Sequence, residues 1–74
     1  MSNIPVLKAS EVISILLNLG FKEVRQRGSH KQFRDDIGKG TTVPVHQGRD
    51  ISPILLRQIA KDVGLTVEDF LKRR

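Results

Sequence analysis

A chain of 74 residues has room for one domain and one modest core. Thirteen Lys and Arg against eight Asp and Glu leave a net charge of +5 and a pI near 10.3, a balance that suits a polyanion such as nucleic acid and equally a soluble, slightly basic surface. The absence of cysteine excludes a disulfide scaffold or a thiolate metal site, and with no apolar run near ~18 residues and no signal-peptide pattern the expected location is the cytoplasm, with no membrane contact.

Met1 to Leu7 carries no periodic signal and reads as an extended lead-in. Ser10 is a candidate N-cap, with Glu11 in the first turn where a carboxylate complements the helix dipole. Val12, Ile13, Ile15, Leu16, Leu17 and Leu19 recur at helical spacing, and Gly20 supplies the stop. On a wheel of about 100° per residue these side chains spread over roughly 200°, wide enough to require both a sheet and a second helix as cover. The next stretch, Phe21 to Asp35, reads as two short strands turning on Gly28-Ser29, a Gly-X pair that suits a type II′ hairpin. A two-residue turn places Arg27 opposite His30, Arg25 opposite Gln32 and Val24 opposite Phe33, with Glu23 opposite Arg34 as a surface pair. With Val24 and Phe33 facing a core, the period of two sends Arg25, Arg27, His30, Gln32 and Arg34 to the other face.

Asp36 to Gly40 is a loop by composition. Thr41 to His46, β-branched at four of six positions, is the third strand, and Pro44 within it fits only an edge. A turn over Gln47 to Asp50 leads to Ser52-Pro53, a capping hydroxyl followed by proline at the first helical position. Leu55, Leu56, Ile59, Ala60 and Val63 make a compact stripe ended by Gly64. Thr66 with Asp69 opens a short last helix carrying Phe70 and Leu71. The order α-β-β-β-α, with both long helices needing cover, predicts an α+β two-layer sandwich: a three-stranded antiparallel sheet, both helices on one face, a short C-terminal helix, and the other sheet face left to solvent. That is the architecture of the double-stranded-RNA-binding-domain type, expected as one domain over residues 1–74 with its core at about 7–71.

The chemistry-bearing residues concentrate at the hairpin. Imidazole takes or gives a proton near neutral pH, and guanidinium forks match phosphate oxygens, so His30 amid Arg25, Arg27, Lys31 and Arg34 is a phosphate-handling arrangement. The plainer alternative makes His30 a polar residue that follows a turn and the arginines a solvated sheet face. His46 is the second candidate. If the Asp36–Gly40 loop is symmetric about Gly38, Phe33 pairs with Val43 and His30 with His46, ~5 Å apart at Cβ. Two histidines beside a cation can cleave RNA without metal: a base for the 2′-hydroxyl, an acid for the leaving oxygen, positive charge for the phosphorane. A register slip of two residues would separate the pair. No metal-ligand spacing and no cofactor motif is present. With Phe21, Phe33 and Phe70 the only aromatics, base-stacking platforms are poorly supplied.

Taken together, Leu7-Lys8-Ala9-Ser10-Glu11-Val12-Ile13, Leu19-Gly20-Phe21, Arg25-Gln26-Arg27-Gly28-Ser29-His30, Thr42-Val43-Pro44-Val45-His46 and Leu55-Leu56-Arg57-Gln58-Ile59 resemble the HicA toxins of type II toxin–antitoxin systems, over roughly Leu7 to Leu71. No single segment is diagnostic; Gly-Ser-His after an Arg-rich strand with Val-Pro-Val-His downstream is specific in combination. The resemblance implies an mRNA interferase that cleaves mRNA, arrests translation and is neutralised by a HicB-type antitoxin. It also implies that His30, in the Gly-Ser-His motif, is catalytic. Family members often carry a further histidine where this chain has Lys31, which leaves open what assists His30. On the residues alone, Arg25, Arg27, Lys31 and Arg34 are the phosphate-binding candidates, and Gly28 and Ser29 shape the turn. The competing expectation is a non-catalytic module of the same fold that grips RNA through its phosphates, with His30 a bystander.

Overall fold

The computed structural model describes residues 4–74 and contains eight short elements: β1 (Leu7–Lys8), α1 (Ala9–Asn18), β2 (Lys22–Arg27), β3 (His30–Arg34), β4 (Gly40–Pro44), β5 (Asp50–Ile51), α2 (Pro53–Asp62) and α3 (Val67–Leu71). Strands β2, β3 and β4 form an antiparallel meander in that order. The helices cover one side of it, giving the expected α+β sandwich. Phe33 and Val43 face the helices and are essentially inaccessible, as are Ile15, Leu16, Leu56 and Ile59. Thr41, also buried, satisfies its hydroxyl by donating to Asp62 Oδ2 of α2 at 3.0 Å, so the sheet is tied to the helix by a hydrogen bond as well as by apolar contact.

The helices stop where their C-terminal carbonyls find partners. Gly20 takes φ +93°, which lets its N–H reach Leu17 O (3.0 Å) and the Phe21 N–H reach Leu16 O (2.9 Å). The α2 terminus repeats the pattern, with Gly64 N–H to Lys61 O and Leu65 N–H to Ala60 O. At their N-termini, Ser52 Oγ accepts from Leu55 N and Thr66 Oγ1 from Asp69 N, as the sequence predicts. The first helix begins differently. Lys8, not Ser10, is the N-cap, and Glu11 Oε1 accepts from the Lys8 N–H at 3.2 Å. The reason lies in β1: Leu7 and Lys8 pair with Ile51 and Asp50 of β5 in a separate two-stranded sheet, so the chain enters α1 directly from a strand.

That small sheet is absent from the sequence reading. The segment expected as an extended lead-in contributes Leu7, 2% exposed, to the core, and the supposed Gln47–Asp50 turn ends in a strand. Met1–Asn3 lie outside the described residues. Phe70 of α3 is fully buried, and Asn18 Nδ2 donates to Arg73 O at 2.8 Å, so the C-terminal turn is held against α1. Leu17, expected on the buried face, is 54% exposed.

Two register expectations are corrected. In the hairpin, Arg27 pairs with His30 and Arg25 with Gln32, but a bulge at Val24 then places Glu23, not Val24, opposite Phe33 and Lys22 opposite Arg34. Val24, 53% exposed, is therefore no core residue, and Glu23 meets Lys31 (3.4 Å) instead of Arg34. At the second turn, β4 spans Gly40–Pro44, not Thr41–His46, and its register lies two residues from the symmetric one: Phe33 pairs with Thr41 and His30 with Pro44. The Asp35 carboxylate sets this, since its Oδ1 accepts from Ile37 N (3.2 Å) and Lys39 N (2.7 Å) while Asp35 N–H donates to Lys39 O. The turn thus closes between Asp35 and Lys39. Asp35→Ala is expected to destabilise the fold by about 1 kcal/mol in urea unfolding, and Asp35→Asn, which keeps an acceptor oxygen, by clearly less. Pro44 sits on the edge strand, where its missing donor leaves no ladder partner unmet.

Candidate active site

The hairpin turn builds the site. Gly28 has φ +56° and, among the described residues, no non-glycine residue has positive φ, the type II′ pattern that a glycine in the first central position permits. The turn makes Arg27 and His30 direct cross-strand neighbours at the start of β3. Residues directly opposite one another share a face, and Phe33 defines the covered one, so His30, Arg27, Arg25 and Arg34 all lie on the open face. His30 and all three arginines are exposed. Arg34 stands roughly 13 Å along the strand from His30 at ~3.3 Å per residue, within reach of a polymer but not of the same phosphate.

Lys31 does not join them. It shares the covered face with Phe33, is partly buried and pairs its ammonium with Glu23 Oε1 at 3.4 Å. The alternation of β3 compels this, because a residue adjacent to His30 cannot share its face. Lys31 is therefore removed from the cation cluster.

His46 reaches the site by another route than strand pairing. It follows the end of β4, and its ring centroid lies 6.3 Å from that of His30 with the planes at 82°. The two-residue slip that should have parted the imidazoles does not, because the chain beyond Pro44 folds onto the hairpin turn. Val45 N–H donates to Ser29 O at 2.6 Å, and Ser29 Oγ lies 3.1 Å from His46 Nε2.

His46 also borders two hollows missed at the level of sequence. One, of about 350 Å³, is lined by Lys8, Ala9, Ser10, Arg49 and Asp50; the other, of about 170 Å³, includes Pro44, Arg49 and Ser52. Lys8 and Arg49 come into the neighbourhood through the β1–β5 pairing, for which no local pattern speaks. A larger groove of about 540 Å³ runs past Gln32, Arg34, Thr42 and Gln58 along the β4 edge and touches neither histidine. Among the described residues no three His, Asp or Glu side chains converge to hold a metal ion. No helix of the described residues is long and apolar enough to cross a membrane.

The site thus combines two imidazoles that can exchange protons with a group lying between them and guanidinium groups that can neutralise a phosphate. All three phenylalanines are buried, so the open face offers charge and hydrogen bonds to a ligand and no phenyl ring. In comparison with known proteins, the family model described as the HicA toxin of bacterial toxin–antitoxin systems matches residues 9–65, which include His30, His46 and every element from α1 to α2. No curated protein matches the chain.

Proposed function

The chain belongs to the HicA toxin family of bacterial toxin–antitoxin systems, and from that premise we propose that it is an mRNA interferase, an endoribonuclease that acts by histidine acid–base catalysis. The observation that carries the reading is the exposed His30, paired across the turn with Arg27 and facing a second imidazole at 6.3 Å. One imidazole takes the proton of the 2′-hydroxyl as its oxygen attacks phosphorus, and the other gives a proton to the departing 5′-oxygen. The bond to that oxygen breaks, leaving a 2′,3′-cyclic phosphate and a 5′-hydroxyl. The Arg27 guanidinium, with Arg25 beyond it, offsets the negative charge that grows on the phosphorane. The open face suits a single strand laid across it in the cytoplasm, gripped by phosphates and therefore tolerant of sequence.

A toxin of such a system has an antitoxin, and we take it to be HicB-type. An acidic antitoxin surface lying over the arginine face would compete with RNA for the same charges.

The direct test is incubation of the purified chain with an RNA oligonucleotide and its DNA counterpart. Cleavage of RNA alone, with cyclic phosphate ends, is the expected result. Equal cutting of DNA would eliminate the 2′-hydroxyl mechanism, and salt-sensitive binding without turnover would reduce the chain to an RNA-gripping module. His46→Ala should retain RNA affinity while cleavage slows by about a hundred-fold; wild-type rates in that variant would remove His46 from the mechanism.

A further inference from the structure

His46 is the one member of the pair that no strand holds. Its neighbour Val45 is fixed by the backbone of Ser29 at 2.6 Å, and its ring by the hydroxyl of the same serine at 3.1 Å. Ser29 therefore grips the Val45–His46 segment at two points, one main-chain and one side-chain, across 17 residues of sequence. A turn residue needs no such hydroxyl: Gly28 alone supplies the positive φ. Ser29 Oγ makes this contact, and among the described residues His46 Nδ1 has no hydrogen-bond partner.

We propose that Ser29 is a positioning residue for His46: by engaging Nε2 it sets the ring's orientation and leaves Nδ1 as the nitrogen that exchanges a proton with RNA. Exchange at Nδ1 requires Nε2 to keep its hydrogen in both the neutral and the charged ring, so Nε2–H donates to Ser29 Oγ throughout and the contact survives the proton's arrival and departure at Nδ1. The serine thus serves either half of the reaction without itself touching the substrate. The proposal rests on the ribonuclease reading above and adds to it the identity of the reacting atom.

The experiment compares the full-length chain with Ser29→Ala and Ser29→Thr, by ring nitrogen NMR and by RNA cleavage. In Ser29→Ala the His46 Nε2 resonance should shift while the His30 ring resonances stay in place. Its kcat should fall about tenfold, the worth of one hydrogen bond, with KM unchanged. Ser29→Thr, which keeps the hydroxyl, should restore both. If Ser29→Ala leaves the His46 resonances and kcat at wild-type values while the wild type cleaves RNA, the positioning role is wrong and the ribonuclease reading stands. If the wild type cleaves no RNA, both fall together. Matching urea unfolding curves for the three proteins would show that the loss does not come from a disturbed turn.

Discussion

Replacing His30 by alanine is expected to slow RNA cleavage by about a thousand-fold, within the range that general acid–base groups contribute, and to leave the fold intact. The side chain is exposed at the first residue of β3, so truncating it opens no cavity and strands no buried partner. Its effect on unfolding should stay within about 0.5 kcal/mol. Arg27, the cross-strand neighbour, remains in place and RNA should still bind, which separates loss of chemistry from loss of affinity. His30→Gln makes the distinction sharper, since the amide can hydrogen-bond a phosphate but cannot relay its proton. In growing cells, induction of the wild type should arrest growth and induction of either variant should not. A His30→Ala protein that cleaves at the wild-type rate would displace the reaction from this face altogether.

Phe33→Ala is expected to destabilise the domain by about 3–5 kcal/mol, enough to unfold a large share of it. Phe33 is 1% exposed at the middle of the three-stranded sheet, where it pairs with Glu23 on one side and Thr41 on the other. Removing the ring empties the centre of the core beneath both helices. Small domains have little stability to spare, with about 5 kcal/mol at the lower end of the common range. Urea unfolding followed by far-ultraviolet circular dichroism measures the loss, and Phe33→Leu, which refills most of the volume, should recover much of it. A cost under about 1 kcal/mol would mean that the sheet is held chiefly by its ladder and not by this ring. Because His30 and Phe33 stand on opposite faces of one strand, the first substitution separates activity from stability and the second lowers both together.

His30, Arg25 and Arg27 were legible because a two-residue turn on Gly28-Ser29 determines the pairing nearest to it, and alternation then determines the face. The same alternation, applied strictly, would have moved Lys31 to the covered side; proximity in sequence to His30 concealed that. The pairing lost its predictability at Val24, where one bulged residue reverses every face beyond it. His46 was legible as a residue and not as a geometry. Its expected pairing with His30 assumed a loop centred on Gly38, whereas the Asp35 carboxylate, by binding two backbone N–H groups, closes the turn around Ile37.

The amino-acid sequence by itself determined the two long helices with their glycine stops, the Ser52 and Thr66 caps, the hairpin and its turn type, and the α+β layering, all of which depend on interactions within a few residues or on the period of apolar side chains. Only the tertiary structure decided that Leu7–Lys8 finds Asp50–Ile51, and that the chain beyond Pro44 returns to Ser29 and carries His46 to His30. Those contacts join segments far apart in the chain, and a two-residue strand or a single hydroxyl leaves no periodic trace. Their partners are chosen by what the packed layers bring within hydrogen-bonding distance.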